Sequence, residues 1–239
     1  MPSLAPSDPP GHEPHGRASQ LGDFILGAQD GLVNVLGIVL GLAAAGQTVH
    51  ILLLGGLAAT FAGAVSMGAV AYTSMMARRD NYLAERAREE REMRELPEVE
   101  RAEVRQVFRE WGYNAADSDV LAGKISENPT AWLEFMMAHE LKLQPIGEQE
   151  TRWSALLVFL STVVGSLIPL APVFLIDNSR WGSVGAVGVS AVALFLIGWF
   201  GAQLTVGSPR RSGLQFVVIG ILAGLAGFAV GLVLGGAPI

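Results

Sequence analysis

Residues 51–77 read ILLLGGLAATFAGAVSMGAVAYTSMMA, and residues 78–95 directly after them read RRDNYLAERAREEREMRE. The first stretch carries no charged residue and exceeds the roughly 20 apolar residues that a helix needs to cross a bilayer core. The second is dense in Ala, Arg and Glu and contains neither Gly nor Pro, which favours helix. Together they predict one helix that crosses a membrane and continues out of it with a polar surface. Pro97 ends it, because the residue before a proline avoids the helical region.

Outward from this stretch the same segregation of charge organises the whole chain. Of 239 residues, 51% are hydrophobic and 16% charged, against about 25% charged in an ordinary soluble domain. Residues 77–152 hold 12 of the 16 Lys and Arg and 17 of the 22 Asp and Glu. Four further apolar stretches, at 24–45, 153–176, 183–206 and 214–234, are long enough to span a bilayer. They are continuous rather than alternating, which argues for helices over a closed barrel. The expected fold is all-α and polytopic, with five transmembrane helices and a cytoplasmic helical bundle inserted between the second and third. The expected divisions are a disordered tail at 1–20, spans at 21–77, the bundle at 78–152 and spans at 153–239. The tail lacks a basic segment followed by an apolar run, so it is not read as a signal peptide.

Arg78, Arg79, Arg152, Arg210 and Arg211 lie near span ends on one side, and only Arg180 lies in the loops of the other. By the positive-inside rule, the N-terminus and the bundle are cytoplasmic and the C-terminus is on the opposite side. With no targeting segment evident, a prokaryotic cytoplasmic membrane is the expected location. Complete absence of Cys excludes disulfides, thiolate metal sites and thiol catalysis. The acidic excess of the bundle argues against a nucleic-acid partner. Gly27/Gly31, Gly37/Gly41, Gly220/Gly224 and Gly227/Gly231 have the spacing that lets helices approach closely, within or between subunits. Pro169 and Pro172 are expected to kink the third span.

Within the bundle, a second helix is expected from 98 to 111, closing at Gly112. A third short one is capped by Asp117 or Ser118. A fourth is opened by Asn128-Pro129 and runs through His139 to about Leu143, before Pro145. Glu85, Glu89 and Glu92 share one helix face, and Glu100 and Glu103 form a second pair. Arg86, Arg88, Arg91 and Arg94 are interleaved, the ordinary signature of a solvated helix. The segment Phe135-Met136-Met137-Ala138-His139-Glu140 adds two thioethers and a carboxylate, with Met136 and Glu140 expected on one face. Methionine more often fills core gaps, yet carboxylates with thioethers suit Fe²⁺ better than Mg²⁺ or Ca²⁺. His139 reads as a surface residue.

Asp30 is the sole residue within the five spans that carries charge at neutral pH. It lies roughly 9 Å from the cytoplasmic end at 1.5 Å per residue. An intramembrane carboxylate costs on the order of 3 kcal/mol and so points to a function. Met67, roughly 15 Å from the same end of the second span, is at a depth where both could line one pathway.

Asp30-Gly31-Leu32-Val33, Phe61-Ala62-Gly63-Ala64-Val65-Ser66-Met67-Gly68 and Arg79-Asp80, taken in order with the Glu-rich helices and Phe135-Met136-Met137…Glu140, resemble the vacuolar iron transporter family over about residues 20–239. The resemblance implies a homodimer in the lipid bilayer that moves Fe²⁺, and in some members Mn²⁺, out of the cytosol by proton antiport. The metal is substrate, and no prosthetic group is implied. It places Asp30 and Met67 in the translocation pathway, and Glu89, Glu92, Glu100, Glu103, Met136, Met137 and Glu140 at cytoplasmic metal sites. Ala59 and Ala71 stand where the family commonly has acidic residues, which removes two intramembrane carboxylates from any proton relay. That departure leaves open a second class, a membrane-anchored metal sensor or scaffold without transport. An enzyme is not expected. There is no HExxH, no Gly-rich phosphate loop, no Ser/His/Asp arrangement and no paired Glu-x-x-His of a di-iron bundle.

Overall fold

The computed structural model describes residues 16–204 and 207–235, with side-chain environments from Gln20 onward. Residues 1–15 of the expected tail and residues 205–206 of the fourth expected span lie outside the described residues. The described residues are helical, and they fall into two units, residues 72–152 and the remainder. Two helices cross the division. In α2 (Val49–Glu95) the apolar stretch and its polar continuation are unbroken up to Pro97, and α6 (Glu148–Leu175) has its first turn in the polar unit.

The apolar unit holds α1 (Gly16–Ala44), the first part of α2, α6 from Trp153 onward, α7 (Ser179–Gln203) and α8 (Pro209–Gly235). These five helices are long and apolar enough to cross a membrane. α1 begins at Gly16, inside the segment expected to be a disordered tail; the polar residues 16–20 continue the helix that the apolar run nucleates. The turn from α1 to α2 needs Gly46, whose φ of +73° admits the hydrogen bond from Gln47 N to Leu42 O. α7 begins four residues before the expected 183, because the Asn178 side chain accepts from Trp181 N at 3.1 Å and caps it there.

All four glycine pairs are engaged within one chain. Gly37 and Gly41 lie against the backbone of Gly227 and Gly231, so α1 and α8 meet without side chains between them. A Cβ on Gly41 would sit 2.9 Å from the Gly227 carbonyl oxygen. Gly27 and Gly31 face Val158, Thr162 and Ser166 of α6, while Gly220 and Gly224 receive Leu194 and Leu40. Beside this seam Val35, Leu36, Val39, Leu52, Leu170 and Val173 form the core. α6 carries helix through Pro169 and Pro172, and Pro172 packs on Gly185 of α7, where a Cβ would approach it at 2.8 Å.

In the polar unit, the second part of α2 is followed by α3 (Pro97–Glu110), α4 (Ala115–Ser126) and α5 (Pro129–Phe135). The cap of α4 is Asn114, not Asp117 or Ser118. Asn114 Oδ1 accepts from Asp117 N at 2.9 Å, which puts Asp117 in the first turn, and the Ser118 hydroxyl donates to Asn114 O. Asn128 Oδ1 caps α5, accepting from Thr130 N at 3.0 Å. Beyond Phe135 the helix widens into a π-turn (Met136–Glu140), closed by Leu141 N donating to Met136 O at 3.1 Å. Lys142, at φ 55°, ends it before Pro145. Val104, Phe108, Ala122, Trp132 and Met136 form one apolar cluster, and Tyr82, Leu133 and Met137 another.

The glycine seam yields a stability prediction. Gly227→Ala drives a methyl into the Gly37 backbone, which cannot yield as a side chain would, and should cost about 1–3 kcal/mol. Gly188→Ala meets open space and should leave the thermal midpoint of the detergent-solubilised protein unchanged.

Candidate metal centre

Glu85, Glu89 and Glu92 are brought to one face of α2 by its helical period. α2 and α3 are separated by Leu96 alone, and Pro97 starts α3 at its first position. This short joint returns Glu100, in the first turn of α3, to the face that carries Glu89 and Glu92. One carboxylate oxygen from each of the three lies within 4.8 Å of the other two. Glu89 and Glu100 are 2% and 3% exposed, a degree of burial that carboxylates almost never reach without compensation.

Compensation in the protein is sparse. Arg88, itself exposed, is shared among Glu85 at 2.9 Å, Glu89 at 3.5 Å and Glu92 at 3.5 Å. Glu89, Glu100 and Glu140 each retain a buried Oε2 with no hydrogen-bond partner, while the Glu85 Oε2 is the one that faces Arg88. Burial first, then the charges of Glu103 and Glu89, push the Glu100 carboxyl up to about 8, and a hydrogen bond to Glu89 favours its protonated form. Burial and the same two charges raise Glu140 to about 7. Five carboxylates, Glu89, Glu92, Glu100, Glu103 and Glu140, thus share one electrostatic neighbourhood. Near neutral pH protons occupy part of the place a cation could take. Unpartnered, crowded carboxylate oxygens are hard donors, the set that holds divalent cations.

The other expected residues are distributed differently. Met136 and Met137 are buried in the two separate apolar clusters, and Met93 of α2 packs against both. The π-turn alters the expected sharing of a face by Met136 and Glu140: Met136 enters the Trp132 cluster while Glu140 joins the carboxylates. His139 is exposed, its ring edge-on to Trp111 at 5.0 Å. Sequence reasoning gave Glu85 and Arg88 no role at the cluster. Their i, i+3 and i, i+4 spacing to the carboxylates was the available signal.

In the apolar unit Asp30 and Met67 are both half-buried, on α1 and α2. Asn34, one turn after Asp30, donates a side-chain hydrogen bond to its carboxylate. Next to Asp30, Gly31 lies against Thr162 and Ser166, which fixes that turn of α1 on α6. Thr60, beside Ala59, is fully buried and its hydroxyl donates to Gly56 O at 2.8 Å, so its polarity is satisfied inside its own helix.

A lone carboxylate within five apolar spans, with a carboxylate cluster in a separate helical unit, is a combination that comparison with known proteins resolves. The VIT family model matches residues 21–232. The chain belongs to the VIT family. It is 33% identical over 208 residues to vacuolar iron transporter 1 of Tulipa gesneriana, covering 87% of this chain and 84% of that protein. Vacuolar iron transporter 1 of Arabidopsis thaliana is also 33% identical over 208 residues, covering 87% of this chain and 83% of that protein. The vacuolar iron transporter of Plasmodium falciparum is 32% identical over 220 residues, covering 88% and 81%. These relatives come from plants and a malaria parasite and lend no support to the prokaryotic cytoplasmic membrane expected from the sequence. The multi-pass membrane character of this VIT-family chain stands.

The raised carboxyls fix the sign of a pH effect. A carboxyl raised from 4.5 to about 8 binds its proton more tightly when folded, so its contribution to stability is full at low pH and lost as pH rises through 7–8. The metal-free protein should therefore melt at progressively lower temperature between about pH 5.5 and pH 8.5 in detergent. Glu100→Gln, which keeps the hydrogen bond without the charge, should flatten that slope.

Proposed function

We propose that this chain is a divalent transition-metal transporter that carries Fe²⁺, with Mn²⁺ as the second candidate, out of the cytosol. The observation that carries the reading is the Glu89–Glu92–Glu100 cluster, with unpartnered buried oxygens on Glu89 and Glu100. Membership in the VIT family and the names of the relatives support iron as the cargo.

In this mechanism Glu89, Glu92, Glu100, Glu103 and Glu140 capture the partly dehydrated cation. Binding releases the protons held on Glu100 and Glu140, so apparent affinity rises with pH. Met136 and Met137, the first two residues of the turn that carries Glu140, bias the site towards softer metals than Mg²⁺ or Ca²⁺. Asp30 supplies the negative charge that offsets dehydration within the membrane, and Met67 a soft ligand. The chain works as a homodimer, with the N-terminus and the polar unit in the cytosol and the C-terminus across the membrane. Proton antiport then rests on Asp30 alone, since Ala59 and Ala71 carry no proton.

Proteoliposome uptake in competition among Fe²⁺, Mn²⁺, Zn²⁺ and Co²⁺, with and without a pH gradient, tests cargo and coupling together. Asp30→Ala should abolish flux while leaving metal binding to the polar unit intact; flux at the parental rate would remove Asp30 from the pathway. A Glu100→Ala/Glu140→Ala double variant should lose bound metal, measured by elemental analysis of the full-length protein. Metal binding with no flux in any condition would favour the sensor or scaffold reading, which the missing carboxylates at 59 and 71 already recommend as the second choice.

A further inference from the structure

At the end of the apolar unit where α1 turns into α2 and α7 begins, there is a cavity of about 500 Å³. Its polar wall is made by Gln47, Ser179, Arg180 and Ser183, the last with its hydroxyl donating to Ser179 O at 2.7 Å. A second cavity of about 270 Å³ continues along α7 and α8, past Ala191 and Leu194, and is lined only by apolar side chains and glycine. The two share Leu40, Val187 and Phe228, so they form one groove with a polar mouth and an apolar interior.

Two features say what fills it. The Arg180 side chain is exposed at the mouth and makes no ion pair or hydrogen bond with any described residue, even though Asp177 lies just before the helix that carries it. An arginine fork matches the oxygens of a phosphate group. The interior has no polar partner to hold water, and left empty its Leu, Val and Phe walls would forgo dispersion contacts. A free phosphate satisfies the mouth and leaves the interior void. An uncharged lipid tail does the reverse.

We propose that this groove is a binding site for an anionic glycerophospholipid, with the phosphate on Arg180 and one acyl chain lying between α7 and α8. Gln47 and Ser179 donate to the headgroup oxygens. Leu40, Val187 and Phe228, common to both cavities, hold the upper part of the chain. The site is independent of the metal centre and of the direction of transport.

The test uses full-length protein reconstituted in nanodiscs of phosphatidylcholine containing about one-tenth phosphatidylglycerol, then released gently for native mass spectrometry. Phosphatidylglycerol should be retained in preference to phosphatidylcholine. Arg180→Ala should lower that preference about fivefold, the factor a single interfacial arginine contributes, and Arg180→Lys should restore most of it. Val187→Trp, on an exposed wall, should reduce retention of both lipids, and added glycerol 3-phosphate should displace neither. Unchanged preference in Arg180→Ala would overturn the proposal, as would displacement by glycerol 3-phosphate. So would dimers that lose their contact in Val187→Trp without any lipid retained, which would make the groove a seat for a second copy.

Discussion

A carboxylate taken out of water costs several kcal/mol unless a cation, a proton or a set of donors replaces the lost hydration. The apolar unit obeys this by keeping all such groups out of its five spans except Asp30, which one amide from Asn34 partly satisfies. The polar unit does the opposite. It gathers Glu89, Glu92, Glu100, Glu103 and Glu140, gives three of them an oxygen with no partner, and supplies Arg88 as the shared counter-charge. The remaining imbalance is carried by protons, which is why Glu100 and Glu140 titrate near neutrality. A divalent ion would relieve the same imbalance more completely than a proton, which is the physical basis of the proposed capture site.

Much of the architecture was legible because its causes are local. Hydropathy and the proline at 97 define α2 to within two residues, and Asn128-Pro129 marks the start of α5 by side-chain chemistry alone. The α4 cap was misread because a polar segment offers several oxygens. The choice of Asn114 depends on Ala115 and Ala116 joining the helix, a preference of the backbone that the side chain of Asp117 does not reveal. The π-turn was out of reach for a deeper reason. Reckoning Met136 and Glu140 onto one face assumes 3.6 residues per turn. Here Met136 and Met137 are drawn into two different apolar clusters, and the turn between Met136 and Leu141 opens to admit both.

The candidate site was half legible for a related reason. The run of Glu85, Glu89 and Glu92 follows from helical spacing, but its closure with Glu100 depends on a joint one residue long, Leu96. Nothing in the identity of Leu96 announces that geometry. The thioethers show the complementary weakness: Met136 and Met137 have the residue types of a soft site and the surroundings of a core. The departures at Ala59 and Ala71 were visible from the sequence by resemblance alone; the structure adds that neighbouring Thr60 is satisfied by Gly56 within its own helix.

The backbone contact between α1 and α8 has an evolutionary consequence. At Gly37, Gly41, Gly227 and Gly231 the helices touch where no side chain exists to be trimmed. An ordinary core position can drift in two directions, smaller or larger, with a neighbour compensating. These positions can only grow, and at Gly41 and Gly227 the neighbour is a carbonyl that cannot be exchanged. A compensating change would have to move a whole helix. Variation in this seam is therefore a ratchet with one stop already reached, and lineages should diverge around it rather than through it.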